Sequence, residues 1–176
     1  MFFEKRLHPD PRRLIPGDPA LPHVLDLIRT SFALMEGRID PPSSVRTLTL
    51  DSLSAVALAG EVWAMTGAAP GDPAVACMTL TPRDGALYLG KMAVAADRRG
   101  QGLARRLADL ACERAVIHSL PRVELQTRVE LTENHAVFAA LGFTQVARTT
   151  HPGYDHPTSI TWQRPAAHPV PPKETP

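Results

Sequence analysis

One continuous stretch, Leu87 to Ser119, limits this chain more than any other, because it reads as a strand, a glycine turn and a helix in succession. Leu87 to Val94 is apolar on both faces, as in a strand central to its sheet. Ala95-Ala96-Asp97-Arg98 leads into Arg99-Gly100-Gln101-Gly102-Leu103-Ala104. Leu103, Leu107, Leu110 and Ala111 then share one face of a helix from about Gly102 to Ser119. That order is the layout of an anion site. Glycines let backbone N–H groups approach a ligand without an intervening Cβ, and the free N–H groups and dipole of a helix start favour negative charge. A pyrophosphate fits, and Arg98 and Arg99 add local positive charge.

The remaining segments interleave helices with strands. Leu21, Val24, Leu25, Ile28, Phe32 and Met35 recur three or four apart, which predicts an amphipathic helix over Leu21 to Met35 with Pro22 in its first turn. A weaker helical pattern runs from Ser43 to Leu58, after the break at Arg38-Ile39-Asp40-Pro41-Pro42. Glu61 to Thr66 and Val75 to Thr81 read as strands, and Pro82-Arg83-Asp84-Gly85 as a hairpin connection into the central strand. Val123 to Val129 alternates apolar and polar residues as a strand. Thr132 is the expected N-cap of a short helix that Gly142 ends, and Thr144 to Thr149 with Thr158 to Arg164 forms a last hairpin. The fold class is therefore α/β (α+β) with a mixed sheet.

At 176 residues and 44% hydrophobic content, the chain suits one domain, placed over 1–164. The proline-rich segment 165–176 carries too few apolar side chains to offset the entropy of ordering, and an extended tail is expected there. The formal charge of +1, from 19 basic and 18 acidic residues, excludes a global field for nucleic acid or an anionic membrane. No stretch approaches the roughly 20 apolar residues of a membrane span, so a cytoplasmic protein is expected. Cys77 and Cys112 sit in apolar segments without metal spacing and read as reduced core thiols. The seven histidines fall at no HxxxH or HxH spacing, so no metal is expected.

The glycine turn is not a Walker motif, since no Gly-Lys-Ser/Thr follows, and Arg105 stands where a dinucleotide fingerprint needs its third glycine. A nucleotide-phosphate binder is thus disfavoured. The turn instead resembles the signature Arg/Gln-x-x-Gly-x-Gly/Ala of the GNAT family of N-acetyltransferases, preceded here by the strand segment Lys91-Met92-Ala93-Val94. About 30 residues on, Asn134-His135-Ala136-Val137-Phe138-Ala139-Ala140-Leu141-Gly142-Phe143 resembles that family's Asn…Ala…Tyr…Leu-Gly-Phe stretch. The resemblance implies a single domain with a mixed, mostly antiparallel sheet flanked by helices and parting between its fourth and fifth strands. It implies acetyl-CoA as co-substrate, no metal, and an amine of a small molecule or peptide as acceptor, with a homodimer as in many relatives. Met92, Ala93 and Val94 would then present backbone groups to the pantetheine arm and thioester. Arg99, Gly100, Gln101, Gly102, Leu103 and Ala104 would hold the pyrophosphate, and Asn134 and Phe138 would border the cofactor.

Phe138 occupies the place where many members carry the tyrosine that protonates the leaving thiolate. Tyr154 is the candidate acid in its stead, with Tyr88, His135 and His151 as others. Glu124 is the first candidate for the base that takes the ammonium proton, and Glu130 the second. Glu36 and Asp40, after the first helix, are candidates to recognise a cationic acceptor, and Met35, Ile39 and Trp63 to line its apolar part. Cys112 lies inside the long helix away from the turn, which argues against a covalent route through it. The alternative to an enzyme is a non-catalytic acyl-CoA-binding or regulatory module, motivated by Phe138.

Overall fold

The computed structural model describes residues 9–67, 69 and 71–167. Segments 1–8 and 168–176, the latter most of the expected tail, lie outside the described residues. Strands β1 (Arg12–Leu14), β2 (Glu61–Thr66), β3 (Ala74–Arg83), β4 (Ala86–Val94), β5 (Arg122–Arg128), β6 (Thr144–Thr149) and β7 (Ser159–Pro165) form one sheet. Helices α1 (Leu21–Ala33), α2 (Leu50–Ala59), α3 (Leu103–Ile117) and α4 (Thr132–Ala140) accompany them. The strand order is β1-β2-β3-β4-β5-β7-β6, and every neighbouring pair is antiparallel except β4 and β5. A parallel pair needs a crossover, and α3 supplies it.

Two apolar layers sandwich the sheet. Alternation along β3 sends Ala76, Met78 and Leu80 to one face and Cys77 to the other. On the first face, Leu103, Leu107 and Ala111 of α3 pack on Leu87, Leu89, Val123 and Leu125. On the second, Leu21, Val24 and Ile28 of α1 and Leu53 of α2 pack on Val62, Ala64 and Ala93. Leu107 and Ile28 are wholly buried, and truncating either to alanine costs about 2–5 kcal/mol. Cys77 and Cys112 are free and buried, as expected, and burial pushes both thiols up, Cys77 to about 12.

Several boundaries differ from the sequence reading. The single helix expected over Ser43 to Leu58 is two pieces, a 3₁₀ turn at Ser44–Thr47 and α2 from Leu50. A capping box makes the break: Ser52 N–H donates to Thr49 Oγ1 at 3.1 Å, and Thr49 N–H donates to Ser52 Oγ at 2.9 Å. Thr132 is the first residue of α4 rather than its N-cap; Leu131 holds that position, and no side chain caps the helix. The first helix stops at Ala33, and a run of turns replaces its expected last residues. Strand β1 had no sequence signal, and Ala166 N–H extends the sheet's last strand by donating to Pro121 O at 3.0 Å.

The end of the sheet away from the glycine turn is held by a buried carboxylate. Glu61 is 1% exposed and accepts from Arg114 Nη2 at 2.6 Å, Arg114 Nε at 3.0 Å, Trp63 Nε1 at 2.6 Å and His118 Nε2 at 2.8 Å. These bonds tie β2 to the last turns of α3. Burial alone would raise the Glu61 pKa, but the hydrogen bonds from Arg114, Trp63 and His118 outweigh it and hold the carboxyl down at about 2.

Candidate functional site

Strands β4 and β5 are joined by two rungs only, Leu87↔Val123 and Tyr88↔Glu124. From Leu89 to Val94, the edge of β4 that faces β5 therefore has no strand partner. A bulge bends β4 within that free length. Cys77 pairs with Ala93 but Thr79 pairs with Gly90, so Met78 of β3 opposes two residues, Lys91 and Met92. Lys91 absorbs the extra residue at a φ of 48°. The bulge also resets the faces: Leu87 and Leu89 join the α3 layer before it, Met92 and Val94 after it, and Ala93 the opposite layer. Without the inserted residue, the strict period of two would aim Lys91 at the apolar α3 layer.

Beyond β4, the chain makes a 3₁₀ turn over Ala96–Arg98 and enters the glycine turn. Gly100 and Gly102 take φ values of 76° and 79°, left-handed conformations that favour glycine. A Cβ at either would meet nothing within 4 Å, so backbone dihedral and not crowding calls for glycine here. Gly102 caps α3 without a side-chain bond, and the first turn of α3 has no acidic residue. Arg106 N–H bonds back to Gly102 O at 3.1 Å, while among the described residues the N–H groups of Leu103, Ala104 and Arg105 meet no backbone acceptor. Free donors, helix dipole and glycine turn together suit an anion. Arg99 Nε donates to Val94 O at 3.5 Å and Gln101 Nε2 to Asp97 O at 3.3 Å, bracing the turn. Arg105 Nη2 donates to Ala140 O at 2.8 Å and docks the end of α4 beside it.

Asn134 lies half-buried in α4, and among the described residues its carboxamide has no hydrogen-bond partner. Phe138 is half-buried and packs edge-on against Phe143, with ring centroids 6.0 Å apart. It offers no proton.

The acid and base candidates fall into two groups. Glu124 stands at the vertex where β4 and β5 part, opposite Tyr88, and its Oε2 accepts from Gln163 Nε2 at 2.8 Å. Burial raises the Tyr88 hydroxyl pKa, and the Arg83 guanidinium lies 3.4 Å over its ring. The second group gathers on a lip formed by the loop after α1. Tyr154 donates to Asp40 Oδ1 at 2.6 Å, and Asp40 N–H donates to Glu130 Oε1 at 3.3 Å. The bond to Asp40, helped by burial, raises the Tyr154 pKa and keeps its hydroxyl protonated. No hydrogen bond links this lip to Glu124 among the described residues.

The histidines and the acceptor candidates are likewise engaged. Arg128 Nη1 donates to His151 Nδ1 at 3.1 Å, and burial with the Arg128 charge lowers the His151 pKa, leaving a neutral ring. His135 Nε2 bonds to Arg128 O at 3.0 Å, and its ring lies 5.8 Å from that of Trp162. Met35 and Ile39 line a pocket of about 340 Å³ with Glu36, Pro42, Ser43 and Arg46. Trp63 does not: its indole is committed to Glu61. Among the described residues, no group of His, Cys, Asp and Glu is arranged to hold a metal ion, and no helix is long and apolar enough to cross a membrane.

Sequence reasoning assigned no role in the site to four residues of this region. Lys91 Nζ donates to Ser44 Oγ at 2.8 Å, and Arg128 Nη2 donates to Pro41 O. The available signal was Lys91 itself, the only charge in the apolar run Leu87 to Val94.

The sheet is mostly antiparallel, and its one parallel pair parts beside the uncapped start of α3. The acetyltransferase (GNAT) family model matches residues 30–143, and the chain belongs to that family. An acetyltransferase of the GNAT family from Staphylococcus aureus Mu50 superposes with a TM-score of 0.68 at 15% identity, covering 90% of this chain and 100% of that one. An acetyltransferase from Streptococcus agalactiae 2603 gives 0.67 at 17% identity, covering 89% and 97%. A chain of the NatC complex, solved bound to Gag peptide and CoA, gives 0.61 at 17% identity, covering 89% and 97%. At these identities the likeness is one of fold. No curated protein matches the chain.

Proposed function

We propose that this chain is an acetyl-CoA-dependent N-acetyltransferase that moves an acetyl group to the amine of a small molecule or peptide. The observation that carries this reading is the unpartnered edge of β4 from Leu89 to Val94, running toward the uncapped start of α3. The NatC chain of similar fold was solved with CoA, which supports the same cofactor here. The co-substrate supplies an acetyl group activated as a thioester. Arg99 to Ala104 hold its pyrophosphate through the free N–H groups of the turn and α3. Met92, Ala93 and Val94 align the pantetheine arm through backbone groups and stabilise the oxyanion that forms as the acceptor nitrogen attacks. Asn134 orients the arm from α4, and Phe138 packs beside it.

The attacking ammonium must first lose a proton, and Glu124 at the vertex of the split takes it, directly or through water. The carbon–nitrogen bond forms, the carbon–sulfur bond breaks, and the departing thiolate is protonated by Tyr154 or by water. A thiolate leaves more readily than an alkoxide, so a missing tyrosine at Phe138 slows this step without forbidding it.

Release of free thiol from acetyl-CoA in the presence of a broad amine panel tests the reading. Phe138 favours one second reading, an acyl-CoA-binding module without turnover. Acetyl-CoA binding in calorimetry with no acceptor releasing thiol establishes that module and overturns the enzyme; failure to bind acetyl-CoA overturns both.

A further inference from the structure

Lys91 turns the bulge of β4 on the face covered by α1 and the loop that follows it. Its Nζ donates to Ser44 Oγ at 2.8 Å, and among the described residues no carboxylate pairs with it. Across the split, Arg128 of β5 donates to Pro41 O and to the His151 ring, and it too has no carboxylate partner among the described residues. Pro41 and Ser44 belong to one short loop. That loop therefore spans the gap between the parted strands, held by one cation from each side.

Both cations are left with neutral partners. An ammonium has three donors, and Lys91 uses one on a hydroxyl. Burial holds its pKa below the usual lysine value, as expected for a charge withdrawn from water without an opposite charge nearby. Of the nearby carboxylates, Glu133 is paired with Arg38 at 2.6 Å, Asp40 accepts from the Tyr154 hydroxyl, and Glu130 accepts from Asp40 N–H at 3.3 Å; none of them reaches Lys91 or Arg128. Lys91 and Arg128 thus face the space under the loop from opposite strands with no carboxylate bonded to either among the described residues, which suits an anionic oxygen group between them.

We propose that Lys91, with Arg128 opposite, is a specificity-determining residue: the acetylated amine belongs to a molecule that also carries an anionic oxygen group, carboxylate or phosphate, bound between the two cations beneath the loop. This replaces the sequence-based expectation that Glu36 and Asp40 read a cationic acceptor. It rests on the acyltransfer reading for its meaning, but binding tests it separately.

Calorimetry on the full chain, with and without saturating coenzyme A, compares phenylalanine with phenylalaninamide and O-phosphoethanolamine with ethanolamine. The first pair reads a carboxylate and the second a phosphate. The acid of at least one pair should bind about tenfold or more tightly than the partner that lacks the anionic group, the worth of a charge-assisted hydrogen bond. K91Q should bring that ratio close to one, and K91R should keep it. If K91Q does not fold, K91N carries the same test, because asparagine tolerates the positive φ at this position. In thiol release, the same ratio should fall in KM more than in kcat. Equal binding within both pairs, no binding of either acid, or a ratio unchanged in the charge-removing variant overturns the proposal. An acid preference that persists while coenzyme A fails to bind leaves the anion site standing and removes the acyltransferase reading. Coenzyme A binding without the preference removes the anion site alone.

Discussion

Tyr88 and Glu124 form the last rung joining β4 to β5, and the strands separate directly beyond it. Glu124 is thereby fixed at the closed end of the gap, with Gln163 holding one of its oxygens at 2.8 Å. Its carboxylate is positioned by that rung and by Gln163 together.

Replacing that carboxylate by its isosteric amide keeps an oxygen for Gln163 but removes the proposed base. E124Q should lower kcat by about 10²–10⁴-fold while acetyl-CoA affinity stays within about twofold. Steady-state thiol release from pH 6 to 9, paired with calorimetry, checks both numbers. Unchanged turnover across that range would take Glu124 out of the mechanism.

Gly102 allows a test of the anion cradle that separates shape from charge. At a φ of 79°, any side chain strains the turn by about 1–2 kcal/mol, although a Cβ would touch nothing. G102A should therefore weaken acetyl-CoA binding modestly, by about tenfold. G102E adds a negative charge beside the free N–H groups of α3 and should weaken it by a further tenfold or more at low salt. Equal effects of the two variants would mean that no phosphate sits there.

These two positions also show what the sequence could carry. The glycine turn, the helix after it and the Asn134 to Phe143 segment are local patterns, and the fold was legible from them. Strand β1 was not, because Arg12-Arg13-Leu14 is too short to show alternation and exists only by pairing with β2. The bulge at Lys91 is defined by what β3 opposes, so no period within β4 announces it. The lip is still less local: Tyr154 and Asp40 meet across 114 positions of sequence, so nothing near the tyrosine in the chain announces that its hydroxyl also anchors a loop. The capping box at Thr49 and Ser52 was readable in principle but was hidden inside a pattern taken as one helix.

Glu61 makes stability depend on acid. Its pKa of about 2 in the fold lies below the ordinary value of 4.5, so the unfolded chain binds the extra proton first. Its contribution is then complete above about pH 4.5 and is lost as pH falls toward 2. The difference is worth about 3 kcal/mol. E61Q should cost about 3 kcal/mol at neutral pH, because the half-buried Arg114 is left beside a neutral amide, and should flatten the fall of Tm with acid. Thermal melts from pH 7 to 3 follow it; a variant whose Tm falls in parallel with the parent would show that Glu61 is not the titrating group.

Phe138 offers the sharpest test of how the thiolate is protonated. Its ring packs edge-on against Phe143 in a half-buried setting, so a hydroxyl at the para position adds little volume to a tight core. If departure of the thiolate limits turnover, F138Y restores the donor that many family members carry there and should raise kcat by about tenfold or more, with acetyl-CoA affinity unchanged. If Tyr154 already protonates the thiolate, Y154F should lower kcat in the parent by a similar factor and much less in F138Y, since either hydroxyl then serves. Y154F also frees Asp40 from its hydrogen bond and loosens the loop, so a purely structural role raises the acceptor KM equally in both backgrounds. Equal effects of Y154F on kcat in the parent and in F138Y would exclude a shared proton-donor role, and an F138Y variant no faster than the parent would place the slow step before the thiolate leaves.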